Sequence, residues 1–152
     1  FNGLSCSIAG LILFGTNPGR FLPQYGFRII HFKGQEIETD VYFDQSFSTA
    51  LASVKQGRTT VINGLVDSVM QKLSDIFSEE KILDGVTRER VWKIPERALR
   101  ELVVNAIIHR DYTKNGKNEI RIFSDRIEIE SQGRLPNTLT IEKIKSGQKY
   151  PR

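Results

Sequence analysis

One run sets the terms for any fold of this chain: Glu96-Arg97-Ala98-Leu99-Arg100-Glu101-Leu102-Val103-Val104-Asn105-Ala106-Ile107-Ile108-His109. From Ala98 onward most of its residues are apolar, which predicts a helix that must be laid against something else. Pro95 is predicted at its start, where a fixed φ and a missing N–H suit the first turn. Three polar residues interrupt the run at four-residue steps, Glu101, Asn105 and His109. At 3.6 residues per turn they share one narrow stripe. Buried polar groups need partners. The partner is either another part of the protein or a ligand, and the spacing leaves both readings open.

The totals bound the rest. With 152 residues the chain can build one domain or two small ones. It is 39% apolar and 26% charged, too apolar for disorder. The apolar stretch from Ile8 to Phe14 is far short of a membrane span and lacks the flanks of a signal peptide. A single cysteine, Cys6, excludes an internal disulfide and a cysteine metal cluster, and fits a cytoplasmic setting. A net charge of +4 permits nucleic-acid binding without arguing for it. Phe1 at the start, and Tyr150-Pro151-Arg152 at the end, suggest an internal segment of a longer protein.

Ser5 to Phe14 fits helix or strand by pattern. Ser5 or Ser7 as N-cap and Gly15 as terminator favour a short helix. Asn17-Pro18-Gly19 is turn chemistry. Tyr25 to Phe32 alternates and reads as a strand, with Ile37 to Phe43 as its hairpin partner. Phe47 to Val54 suggests a further short element. Thr59 to Phe77 carries apolar residues at three- and four-residue steps and reads as one long helix. The charged stretch Ser78 to Lys81 follows it, and Asp84-Gly85 marks a turn and a module boundary. Arg88 to Ile94 reads as a strand anchored by Trp92. His109 to Gly116 is a loop, and Glu119–Phe123 and Ile127–Ser131 form a hairpin across Ser124-Asp125-Arg126. Thr138 or Thr140 can cap a last short helix through Ile144.

Chemistry concentrates on the stripe. Glu101 is a candidate general base. Asn105 offers a neutral oxygen suited to a phosphate-bound magnesium ion. His109 lies at the helix end, among carbonyls that favour a cation. The structural alternative is that all three only hold neighbouring loops. Gly133, in Ser131-Gln132-Gly133-Arg134-Leu135-Pro136, directly follows a strand and would let backbone approach a ligand. There is no GxxxxGK[ST] loop, so this segment is not a P-loop motor. His31 reads as a packed histidine. Lys114, Lys117, Arg121 and Arg126 read as a solvated face. Arg110 and Asp111 either pair with each other or fix the loop.

Glu101-Leu102-Val103-Val104-Asn105-Ala106-Ile107-Ile108-His109-Arg110-Asp111-Tyr112 resembles the E-xxx-N-A-xx-H-R-D-Y signature of bacterial proteins labelled ATP-dependent DNA helicase RecG-related or predicted transcriptional regulators. Asp125-Arg126-Ile127-Glu128-Ile129, Ser131 to Pro136 and Ala9 to Pro18 match further segments of that family in order. The resemblance implies an AlbA-like (Schlafen-type) DNA-binding domain upstream and a GHKL-like ATP-binding fold over the second half. It implies Glu101 as the water-activating base and Asn105 as the magnesium ligand. His109 would order the site, and Gly133 would lie near the adenine. Ser131 stands where the usual GHKL loop carries an aspartate, and Gln132 replaces the family's usual proline.

The expectation is an α+β chain. A small α+β module, residues 1–84, precedes the first part of a GHKL-like α/β sandwich, residues 85–152, with helices on one face of a mainly antiparallel sheet. The expected function is a segment of a DNA-associated regulator with an ATP and magnesium half-site. DNA would be reached through domains outside this segment, and no membrane is involved. The alternative is an interaction module that keeps the GHKL shape without nucleotide.

Overall fold

A computed structural model describes residues 6–37, 40–83 and 87–133, together with 142 and 146. Helix α1 spans Ile8–Phe14, and the Ser7 hydroxyl accepts from the Gly10 N–H at 3.1 Å, the expected N-cap. Asn17-Pro18-Gly19 leads into a single helical turn, α2 (Pro18–Phe21), with Pro18 at its first position. Strand β1 is Phe27–Phe32 and β2 is Val41–Phe47, its antiparallel partner. The β2 pairing falls later in the chain than the Ile37–Phe43 expected from alternation. Phe47 and Val54 belong to strands, and the residues between them form no element of their own.

The long helix expected over Thr59–Phe77 is shorter. Its first four residues form β4 (Thr59–Ile62), paired with β3 (Val54–Gln56) across Gly57 at φ +63°. Thr59, Thr60, Val61 and Ile62 are all β-branched, and such side chains favour the pleated surface over a helix. Helix α3 then runs Leu65–Phe77. Gly64 opens it because a Cβ there would sit 2.2 Å from the Leu51 carbonyl oxygen. Ser53 supplies the missing cap: its hydroxyl accepts from the Gly64 N–H at 2.9 Å and donates to Asp67 at 2.7 Å.

β5 (Ser78–Leu83) and β6 (Thr87–Trp92) pair as a hairpin, so the charged stretch after α3 is a strand rather than a connector. Asp84-Gly85 lies outside the described residues. Helix α4 runs Glu96–Ile108 with Pro95 as its N-cap, one position earlier than expected. β7 (Asn118–Ile122) and β8 (Ile127–Glu130) form the predicted hairpin. The helix expected between Thr138 and Ile144 falls outside the described residues, apart from Glu142.

The main sheet has the order β2-β1-β7-β8; β1 and β7 run parallel and the other pairs antiparallel. It therefore takes strands from both sides of Asp84, and residues on either side share one core. Alternation decides its two faces. Phe27 and Ile29 of β1, with Ile120 and Ile122 of β7, are buried together with Leu65, Val69 and Leu73 of α3 and Leu99, Val103 and Ile107 of α4. The other face carries a small apolar cluster, Ile30, Phe32 and Phe123, beside ion pairs of Arg28 with Asp44 and of Arg121 with Glu119 and Glu130. The fold is α+β with a mainly antiparallel sheet, as the pattern implied, and has four helices among the described residues. Arg100 of α4 reaches Asp67 of α3 at 2.7 Å and ties the two helices.

Candidate functional site

The site is built where α4 ends over the sheet. A helix leaves its last carbonyls without intrahelical donors. Here Asn105 O accepts from the His109 N–H at 3.0 Å, and Ile107 O from the Tyr112 hydroxyl at 3.2 Å. Ala106 O accepts twice, from Asn118 Nδ2 at 3.1 Å and from the Ser131 hydroxyl at 3.0 Å. These bonds fasten the helix end to β7 and to the segment after β8.

The next residue, Arg110, is buried, and its guanidinium holds the following loop. It donates to Asn118 Oδ1 and Lys114 O at 3.1 Å each, and to Gly116 O. Its Nε is buried without a hydrogen-bond partner among the described residues. Burial pulls this guanidinium below its ordinary pKa, opposed by Tyr112 and Asp111. Asp111 accepts from the Thr113 N–H and hydroxyl. Of the two roles open to Arg110 and Asp111, fixing the loop is the one their bonds serve.

Between the outer side of α4 and the 131–133 segment lies an open cleft of about 360 Å³. Leu102, Ala106 and Ile129 form its apolar walls, and Asn105, His109, Ser131 and Gly133 its polar edge. Asn105 and His109 are exposed, and among the described residues neither side chain has a protein hydrogen-bond partner. Leu102 and Ile129 also line a neighbouring, mostly apolar trough of about 610 Å³ that includes Phe77, Ile94 and Leu99.

Three of the four residues singled out by sequence, Asn105, His109 and Gly133, thus meet in one cleft. Glu101 does not line it; it is exposed one turn earlier. Helical geometry gives the reason: each four-residue step advances about 40° around the axis, so Glu101 and His109 are roughly 80° apart. The stripe is also solvent-facing rather than buried, because Leu99, Val103, Ala106 and Ile107 form the packed face. Gly133 has a use independent of any ligand. It forms an antiparallel bridge with Arg110, and a Cβ on it would lie 2.2 Å from the His109 carbonyl oxygen.

Three supporting residues escaped the sequence reading. Asn118 is polar yet in phase with Ile120 and Ile122 on the buried face of β7, a signal present in the pattern. Leu102 and Ile129 look like ordinary core residues in sequence, yet they wall the cleft. Among the described residues there is no cluster of three or more His, Cys, Asp or Glu side chains, so a cation here would need a ligand's own oxygens. None of the described helices is long and apolar enough to cross a membrane.

Residues 116–152 match the family described as putative ATP-dependent DNA helicase recG C-terminal. That stretch begins in the loop held by Arg110 and contains Ser131 and Gly133. The match supports a RecG-related, ATPase-like domain in this part of the chain. By structure the chain is similar to the DIP2311 protein from Corynebacterium diphtheriae, with a TM-score of 0.60 and 20% identity over 91% of this chain. At that identity the likeness concerns the fold. The chain spans 25% of the length of that solved chain. No curated protein matches it.

Proposed function

We propose that the cleft between α4 and residues 131–133 is a nucleotide half-site in a DNA-associated, RecG-related regulator, and that it takes ATP with magnesium. The observation that carries this reading is the convergence of Asn105 and His109, one turn apart at the end of α4, with Gly133 from the segment after β8, on one cleft with apolar walls. Leu102, Ala106 and Ile129 suit the faces of a purine ring. The Asn105 carboxamide would offer one neutral oxygen to a phosphate-bound magnesium ion. His109, at the C-terminal end of α4, borders the same space and orders its edge. Bound nucleotide supplies the phosphates; the chain's own groups bind and orient it. Glu101 lies outside the cleft lining, so the proposal for this segment is binding. DNA would be engaged by other domains of the whole protein.

A second reading has its own support. The His109 carbonyl fills the space beside Gly133, which accounts for a glycine there without any ligand. On that reading the region is an interaction module that keeps the shape alone. Titrating magnesium-ATP into the isotope-labelled chain, while following backbone amides, separates the two. Saturable shifts at Asn105, His109 and Gly133 are the expected result. Unmoved amides at millimolar nucleotide would overturn the ATP proposal and leave the interaction module.

A further inference from the structure

The net charge of +4 hides how the charges are distributed. No aspartate or glutamate occurs in residues 1–35 or 45–66. The structure brings described parts of these two stretches side by side. Leu51 N donates to Ile12 O at 2.8 Å and Ala52 N to Leu13 O at 3.2 Å, while the Tyr25 hydroxyl donates to Thr49 O at 3.0 Å. The β3–β4 hairpin leaves the body directly after this seam. Every described residue of its two strands is exposed, and Val54, Val61 and Ile62 are each more than half exposed.

An isolated two-stranded hairpin is marginal in water and gains nothing from showing branched apolar side chains on both faces. Its charged residues are both cations, Lys55 and Arg58, flanking Gly57 at the turn. Arg58 has no carboxylate partner among the described residues. Lys55 lies within electrostatic reach of Asp67 at the hairpin's foot, a carboxylate already held by Ser53 and Arg100. On the helical side of the seam, Phe14 is 75% and Phe21 67% exposed, and the Arg20 guanidinium lies over the Phe21 ring.

We propose that this acid-free end, the β3–β4 hairpin with α1 and α2, is a docking surface for single-stranded nucleic acid. Exposed cations at the hairpin turn, with the exposed Phe14 and Phe21 rings and Arg20 across the seam, fit a phosphate backbone whose bases are free to stack. A duplex keeps its bases stacked internally and would leave Phe14 and Phe21 unused. A protein partner of ordinary composition would gain little from a surface without acids. The inference is independent of the nucleotide cleft, whose lining includes none of Phe14, Arg20, Phe21, Lys55 and Arg58.

The test is fluorescence anisotropy of a labelled thymidine oligonucleotide against the 152-residue chain. Three phosphate contacts, from Arg20, Lys55 and Arg58, predict a log–log salt slope of about −2, hence a loss of roughly twentyfold between 50 and 200 mM salt. The double variant Lys55→Glu with Arg58→Glu, on exposed residues, should lower affinity at least about tenfold and flatten the slope. The same charge change at Lys114→Glu with Lys117→Glu should leave most of the affinity. Phe21→Ala should weaken single-strand binding about fivefold or more and leave duplex binding unchanged. Equal losses from the two charge-reversed variants, or no effect of Phe21→Ala, would overturn the proposal. So would retention on anionic vesicles without retention of the oligonucleotide.

Discussion

Replacing Gly133 with alanine tests the architecture of the cleft most severely. The added methyl would lie 2.2 Å from the His109 carbonyl oxygen and 3.2 Å from its carbon, and both are backbone atoms at the end of a packed helix. Neither neighbour can turn aside as a flexible side chain would. Relief requires the segment after β8 to move away, which breaks its bridge to Arg110. Overpacking of this kind costs about 1–3 kcal/mol, and losing the bridge adds about 1 kcal/mol. The sum, roughly 2–4 kcal/mol, corresponds to a fall in Tm of about 5–15 °C for a chain of this size. Urea unfolding can be followed through the single tryptophan, Trp92, at the edge of the core. Gly57→Ala is the matched control. Its φ of +63° is strained for alanine, but nothing lies within 4 Å, so about 1 kcal/mol is expected. A Gly133→Ala protein within about 0.5 kcal/mol of the parent would refute the reasoning. It would mean that the glycine is not packed on His109, and that close approach of a ligand is the better reason for it.

Other outcomes follow from the same geometry. Arg110→Met should cost about 2–4 kcal/mol in urea unfolding, because Asn118 and two loop carbonyls lose a charged donor. Leu73→Ala, in the fully buried face of α3, should cost about 2–5 kcal/mol by the same measurement. The Asp67 carboxyl is held below its ordinary pKa by the Ser53 hydroxyl and then by Arg100. Its folded form binds protons less readily than the unfolded chain, so its stabilisation is present above the unfolded aspartate pKa and lost as pH falls through the folded one. Ser53→Ala should therefore reduce the acid-side loss of stability, seen as a shallower dependence of the urea midpoint on falling pH.

Helix α4, the β7–β8 hairpin and the α1 cap were legible because each rests on local signals: apolar period, a turn between alternating runs, and a serine before an apolar stretch. The failures have equally local causes. Val61 and Ile62 fall in phase with the apolar positions of α3, so periodicity alone extended that helix backward. The run of β-branched residues behind Gly57 carried the opposing signal. The parallel pairing of β1 with β7 joins residues about ninety positions apart, and no local pattern encodes it. At the site, four-residue spacing put Asn105 and His109 on one edge of the cleft, while the drift of about 40° per step left Glu101 outside its lining. Arg110 looked like a loop charge, since burial of a guanidinium depends on acceptors that only the fold assembles. Net charge is equally coarse: a total of +4 does not show that residues 1–35 and 45–66 carry no aspartate or glutamate.

The claim at the centre of the account is that Asn105 faces a nucleotide. Isothermal titration of magnesium-ATP into the parent chain, Asn105→Ala and Glu101→Ala puts it to the test. Both side chains are exposed, so neither substitution disturbs the core. The account predicts saturable binding by the parent, weakened about tenfold or more and no longer dependent on magnesium in Asn105→Ala, with Glu101→Ala close to the parent. Binding that is equally tight in Asn105→Ala, or absent from the parent, would contradict it.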